Sequence, residues 1–403
     1  MKKNIKELQE KYKGYWESKN YTQIDSFSLE PNNKGGGKEA ILTPAGIHPL
    51  VPYLLEKKIF DVDKVFNIQK SFRPGDIKKV KDGYHHSFFH MLGAFTFKNH
   101  SRNKLINEMF NFLTRTLNIP LEKLAITVYE GNDDFEFDKE SLETWKTLGI
   151  KKERIALVDD MLINNIVKNG PIGFGTEFYY WKKNSKVPKI FNPQDNGWLE
   201  IGGFTEYMFS NEKDKNGNYK KLKNAKIDSG FGLERLSLLN TGIEDTFLGT
   251  YFKPIIEKLE EISSAKFGIN DEPTEAMRII ADHIRASVFI INEGIEPKQM
   301  KNEFYLRKRI NEKEPKSQFD KYLGKEYILD LMIKRILNEG KKLGLKNFIR
   351  DLAEVVIKEY PETFSNKEYI LEVLRREELK KLLQTDFFYE TLGEQDNEIN
   401  VNY

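Results

Sequence analysis

The period of the hydrophobic pattern changes once along this chain, near residue 231, and that change limits the folds open to it. Before it, apolar residues recur with strand-like alternation in "KVFNIQKSFR" (64–73), "SFFHMLGAFTF" (87–97), "KLAITVYE", "RIALVD", "TEFYYW" and "GWLEIGGFTEYMF". After it, nearly everything repeats at helical spacing: 231–240, 249–264, 274–293, 303–312, 322–343, 345–359 and 366–384. Earlier helices are expected at 4–18, 101–117 and over "KESLETWKTLG", which stops at Gly149. "TQIDSFSLEP" and "KEAILTPAGIHPLVPYLL" read as extended segments broken by Pro and Gly. The first two strands read as an antiparallel hairpin whose loop is too long for a tight turn. The fold class is therefore α+β: an antiparallel β-sheet flanked by helices, followed by an all-helical domain. The expected divisions are 1–265, 266–390 and a flexible tail at 391–403.

Composition narrows the chemistry. With 403 residues, 39% hydrophobic and 31% charged, the chain suits a soluble globular protein, and no apolar run reaches membrane-spanning length. The start "MKKNIKELQEKYKGYW" lacks an apolar stretch and is not a secretory signal. There is no cysteine, which excludes disulfides and cysteine-based zinc or iron–sulfur sites. The six histidines form no metal-ligand spacing, so a metal held by the protein alone is not expected. The net charge of +2 points to no partner by itself, although local basic clusters could meet RNA.

Four stretches carry candidate chemistry. Arg73 ends the first hairpin strand, and Phe88 and Phe89 open the second. Neighbours on a strand face opposite sides, so one ring can be core while the other lies in a cleft. An aromatic face beside a fixed guanidinium could hold adenine and a phosphate; a core hairpin with an exposed arginine is the plainer alternative. In "GWLEIGG", Glu200 sits among apolar residues and needs a partner or a cation. Gly202 and Gly203 mark close approach of a ligand or of another backbone. In "IDSGFGLERLSLL", Asp228 precedes a glycine bend and Arg235 falls in the first turns of a helix. Gly230 and Gly232 would let backbone approach a ligand; a capped helix with a solvated arginine would read the same way. This is neither a P-loop nor a dinucleotide fingerprint, since GK[ST] and GxGxxG are both missing. In "PTEAMRIIADHIRASVFIINEG", Asp282 and Arg285 share a helix face, where an intrahelical ion pair is the ordinary reading.

Together these stretches resemble the catalytic core of a class II aminoacyl-tRNA synthetase, in its alanyl-tRNA synthetase form. "FRPGD…YHHSFFHMLGAFTF" resembles that family's motif 2 and "IDSGFGLERL" its motif 3. "AILTPAGIHPLVP" is similar to the motif 1 region, "GPIGFGTEFYY" to the Gly-Pro-rich strand entry, and "IIADHIRASVFIINEG" to the first tRNA-binding helices. The order is that of the family over roughly residues 5–310, and more weakly to about 393.

The resemblance implies a six-stranded antiparallel active-site sheet and ATP-dependent activation of an amino acid, alanine first, for loading onto the 3′ end of tRNA in the cytoplasm. It implies that Arg73 holds the α-phosphate and the amino-acid carboxylate, that Phe88 or Phe89 stacks on adenine, that Met91 and Gly232 belong to the ATP site, and that Arg235 binds the γ-phosphate. Glu200 would hold Mg²⁺ brought with ATP; no zinc is implied. Asp228 would receive the ammonium group, with His90, Gly202, Gly203 and Gly230 around it. Asp282, Arg285, Gln299, Arg307 and Arg309 would meet tRNA.

The departures are specific. His90 replaces a family glutamate, and Gly202 and Gly203 replace Trp and Asn, which is expected to enlarge the amino-acid pocket and remove a polar anchor. Gln299 and Asn302-Glu303 replace the family's Asn and Arg-Gly, and Glu390 replaces an Asp. The editing and C-terminal oligomerisation domains are missing, so a monomer is expected. The alternatives are a paralogue loading another small amino acid onto a carrier or small molecule, and an inactive synthetase-like RNA-binding or regulatory protein.

Overall fold

The computed structural model describes residues 5–31, 40–55, 58, 61–98, 100–160, 162–163, 171–249, 251–298 and 324–391. The chain divides into two compact units, Met1–Lys253 and Pro254–Tyr403. The helix Lys253–Ile262 therefore falls almost wholly in the second unit.

The first unit is built on a nine-stranded sheet. Its strands are β1 (Thr22–Gln23), β2 (Lys64–Phe72), β3 (Phe88–Thr96), β4 (Leu124–Tyr129), β5 (Ile155–Val158), β6 (Leu162–Ile163), β7 (Ile172–Trp181), β8 (Trp198–Lys213) and β9 (Tyr219–Gly232). The order is β1-β2-β3-β9-β8-β7-β4-β5, with β6 on β7. The six strands from β2 to β4 in that order pair antiparallel throughout, which is the expected six-stranded core; β1 and β5 add parallel strands at its two edges. The hairpin β2–β3 is in register from Lys64↔Thr96 to Phe72↔Phe88, and residues 73–87 form its long connection.

Strand alternation separates two faces. On one, aromatic rings make the core. Tyr12 of the helix Ile5–Glu17 packs edge-on against Phe66 and Phe112, Phe112 meets Phe231, and Phe231 meets Phe178 at 5.7 Å between centroids. That helix buries Ile5, Leu8, Tyr12 and Trp16, one turn apart. Arg102 is buried here too, bound to Glu206 and Asp138. Asp138 in turn caps the helix Lys139–Thr147 through the Ser141 N–H. The other face carries Phe89, Met91, Glu177, Glu200, Asp228 and Gly230.

Two local expectations are corrected. The stretch 38–55 is not wholly extended: His48–Leu50 is a 3₁₀ turn and Val51–Leu54 a short α-helix, each with proline in its first turn, where the missing N–H costs nothing. "IDSGFG" is not a bend but the end of β9, and the helix after it spans only Leu233–Leu236 instead of 231–240. β9 lies between β3 and β8, and pairing on both edges overrides the turn preference of its glycines.

The second unit consists of helices, among them Asp271–Asn292, Lys325–Lys342, Ile349–Glu359 and Lys367–Thr391. Asp271–Asn292 is buried nearly all round from Ala276 to Ile291, the mark of a central helix. The last helix extends past the expected end at 384 to Thr391, the first residue of the expected tail 391–403; the rest of that tail, 392–403, lies outside the described residues, as does the helix expected at 303–312. No described helix is long and apolar enough to cross a membrane.

Candidate active site

The antiparallel sheet cups a cavity of about 220 Å³ on the face opposite the aromatic core. Its walls come from the end of β2 and the turn after it (Arg73, Asp76), from β3 (Phe89, Met91), β7 (Gly175–Glu177), β8 (Glu200–Thr205), β9 (Asp228, Gly230–Gly232) and the turn carrying Glu234 and Arg235.

Arg73 is exposed to this cleft and fixed on one side only. Its Nε donates to the Pro44 carbonyl at 3.1 Å, and its guanidinium carbon lies 5.0 Å from the centre of the Phe89 ring. Pro44 is in place because the segment before it runs beside the end of β2, where the Phe72 N–H donates to the Thr43 carbonyl at 2.8 Å. The rest of the guanidinium fork faces the cleft, an arrangement suited to a phosphate or carboxylate. Phe88, its neighbour on the strand, is fully buried on the opposite face, so Phe89 is the ring available for stacking.

Arg235 and Glu200 form one unit. Arg235 donates from one nitrogen to the Glu200 carbonyl at 2.8 Å and to its carboxylate at 3.0 Å. Burial opposes ionisation of Glu200, but Arg235 and then Arg73 hold its carboxyl below the usual range. The Glu200 side chain is still 43% exposed, which leaves carboxylate surface open to the cleft.

Asp228 faces the cleft from β9, opposite Phe95 on β3 and Thr205 on β8. Burial pushes its carboxyl up to about 7, against the pull of Arg73. A group in that condition gains most from a cation placed beside it.

Of the two expectations placed on the glycines of β8, close approach of another backbone is met and an enlarged pocket is not. Gly202 adopts a φ of +155°, and a Cβ built there would stand 2.2 Å from the Gly230 carbonyl oxygen. A Cβ on Gly203 would stand 2.4 Å from the Thr176 carbonyl oxygen. Both lie beside an irregularity in the β7–β8 register between Phe178 and Tyr179. Their small size thus serves the approach of neighbouring strands, and the expected enlarged side-chain pocket is not what they make.

Three further expectations are redirected. His90 does not reach the amino-acid end of the cleft. It faces the other side of β3, where its N–H and ring Nδ1 meet the Glu234 carboxylate at 3.0–3.1 Å and its ring lies 5.7 Å from that of Tyr251. Asp282 and Arg285 are buried inside the helical unit and present nothing to RNA. Asp282 accepts from His283 Nδ1 at 2.9 Å, and Arg285 Nε donates to the Tyr360 hydroxyl at 2.8 Å. Gln299, Arg307 and Arg309 lie outside the described residues.

The sequence reading passed over Glu177, which lines the cleft from β7. Its carboxylate accepts from the Tyr179 hydroxyl at 2.8 Å, and its backbone N–H donates to Thr127 Oγ1 at 3.0 Å. Burial, then Glu200, pushes it up to about 7, while the Tyr179 bond pulls it back. The available signal was alternation in "TEFYYW": Glu177 and Tyr179 share one face, with Phe178 and Tyr180 on the other. Asp76 and His86 also line the cleft and were passed over.

Comparison with known proteins follows the same outline. The family model described as tRNA synthetases class II (A) matches residues 7–312. The chain is 32% identical over 382 residues to an alanine–tRNA ligase of Treponema denticola, covering 92% of this chain and 60% of that protein. An alanine–tRNA ligase of Borrelia hermsii is 31% identical over 97% of the chain and 63% of its own length. One of Caldicellulosiruptor saccharolyticus is 32% identical over 98% of the chain and 42% of its own. The chain thus spans about two fifths to three fifths of the length of these relatives. By the family match and the cleft it encloses, the chain belongs to the class II (A) tRNA synthetases.

Proposed function

We propose that the chain activates an amino acid, alanine in the first instance, with ATP and passes the aminoacyl group to the 3′ end of tRNA. The observation that carries this reading is the convergence of Arg73, Phe89, Glu200, Asp228 and Arg235 on one cleft from separate parts of the sheet. Adenine stacks on Phe89. Arg73 draws the α-phosphate toward the amino-acid carboxylate, Arg235 takes the terminal phosphate, and Asp228 takes the ammonium group. The carboxylate then attacks the α-phosphorus and pyrophosphate leaves. Such chemistry needs position and charge neutralisation more than a nucleophile from the protein.

Mg²⁺ arriving with ATP would neutralise phosphate charge. The exposed carboxylate surface of Glu200 fits it, because an oxygen ligand beside phosphates is what this ion takes. Among the described residues no cluster of three or more His, Asp or Glu could hold a metal unaided.

The assignment of alanine leans on the relatives, and the two glycines of β8 do not oppose it, since they adjoin backbone and not a widened pocket. The test is amino-acid-dependent exchange of pyrophosphate into ATP across all amino acids, followed by charging of unfractionated tRNA. Exchange with alanine is the expected result. Absence of exchange with every amino acid overturns the reading, and exchange without tRNA charging redirects it to another acceptor.

A further inference from the structure

The register of β7, β8 and β9 sets out three rows across the floor of the cleft. Asp228, Thr205 and Gly175 form one; Gly230, Gly203 and Glu177 the next; Glu200 and Tyr179 the third. Successive rows are roughly 7 Å apart along the strands. The first row binds the amine in the reading above, and Arg73 with Phe89, two residues along β3 from the Met91–Gly232 pair, holds the α-phosphate and the adenine. An aminoacyl-adenylate strung between them lays its mixed anhydride over the middle row. Two members of that row are glycines, so Glu177 supplies its only side chain.

The remaining cleft carboxylates are committed. Glu200 is bound to Arg235, Asp76 to Lys79, and Glu234 to His90. Asp228 is taken by the amine. Glu177 has no cation bound to it among the described residues; its side-chain partner is the Tyr179 hydroxyl.

We propose that Glu177 is a catalytic residue of aminoacyl transfer, accepting the proton of the acceptor hydroxyl as that oxygen attacks the carbonyl carbon of the adenylate. The inference rests on the activation-and-transfer reading above. The hydroxyl oxygen bonds to the carbonyl carbon, and the bond from that carbon to the phosphate oxygen breaks. AMP leaves with the electron pair, and the proton rests on Glu177 before passing to solvent. Tyr179 holds the carboxylate toward the middle row, and the Thr127 contact fixes the backbone beneath it.

The test is single-turnover transfer from preformed adenylate to unfractionated tRNA, run beside pyrophosphate exchange on the full chain. Glu177→Gln keeps the shape and loses the proton acceptor. Transfer is expected to fall by about 100-fold, the scale of general-base catalysis, and at least tenfold more than exchange. Tyr179→Phe keeps the carboxylate but frees its orientation, and is expected to lower transfer more than exchange. Equal losses of exchange and transfer in Glu177→Gln overturn the proposal, as does wild-type transfer by that variant. A wild-type protein that exchanges pyrophosphate but charges no tRNA overturns the transfer reading itself, and this assignment with it.

Discussion

Arg285 in the helical unit and Arg73 in the sheet unit both donate from Nε to an oxygen of the protein, and there the likeness ends. Arg285 is fully buried and its Nε bond ends on Tyr360, among aromatic side chains. Arg73 uses Nε on a backbone carbonyl, lays its plane near Phe89 and leaves the rest of its fork open to the cleft. The same division holds for carboxylates: Asp330 is enclosed with Lys381, whereas Asp228 faces the cleft with no cation bound to it among the described residues. A buried charge with its partners inside maintains the fold. A charge anchored on one side, with its functional atoms toward a cavity, is free to meet a substrate.

The comparison breaks most sharply at Arg73. Arg73→Ala is expected to reduce pyrophosphate exchange by about 10³-fold, the scale of losing a principal charge-stabilising group, with little change in melting temperature. Exchange at the wild-type rate would overturn its placement against the α-phosphate. Arg285→Ala is expected to do the opposite. Loss of one member of a buried polar pair costs about 3 kcal/mol or more, so the urea midpoint falls, while exchange per folded molecule stays at the wild-type level. A stable Arg285→Ala protein with weakened tRNA binding would restore the RNA role that burial denies.

Which of these roles the sequence disclosed depended on whether a residue acts through its own side chain. Arg73, Phe89 and Arg235 belong to motifs whose chemistry is in the side chain, and all three line the cleft. Strand alternation alone assigned Phe88 and Phe89 to opposite faces. Asp282 and Arg285 misled because spacing gives a common helix face but not what covers it. Gly202 and Gly203 misled because a missing side chain looks like space, and only the neighbouring carbonyls reveal that the space is filled by backbone. Glu177 was visible as a charged residue in an apolar strand, but its importance depends on cross-strand register, which no local pattern carries.

The glycines give the next prediction. Gly202→Ala places a methyl against the Gly230 carbonyl and requires a φ that L side chains rarely adopt. The strands must part, at a cost of about 2 kcal/mol, and the thermal midpoint should fall together with exchange. If instead the variant is stable and merely narrows amino-acid choice, Gly202 shapes the pocket and not the sheet.

Asp228 sharpens the comparison through pH. Its carboxyl is near 7 in the fold and ordinarily about 3.9 in an unfolded chain. The folded state therefore binds the proton more tightly. The stability this group contributes is full below about pH 4 and is lost as pH rises through 7. Asp228→Asn removes that loss. Its free energy of unfolding should match wild type near pH 4 and exceed it at pH 8 by up to about 4 kcal/mol, while the KM for the amino acid rises. A mutant less stable than wild type at pH 8 would mean that Asp228 has a partner in the fold and is not waiting for an ammonium group.

The smallest effect belongs to an arginine outside both classes. Arg350 meets Glu354 one turn along its helix at 3.0 Å, but the two side chains are 41% and 51% exposed. Water competes for both ions there, and ordering two long side chains offsets most of the attraction. Arg350→Ala should leave the urea midpoint close to that of wild type and leave exchange at the wild-type rate. Set beside Arg285→Ala in the same helical unit, it separates burial from charge. Equal destabilisation by the two would show that the lost side-chain bond and not its enclosure sets the cost, and would remove the distinction drawn between Arg285 and Arg73.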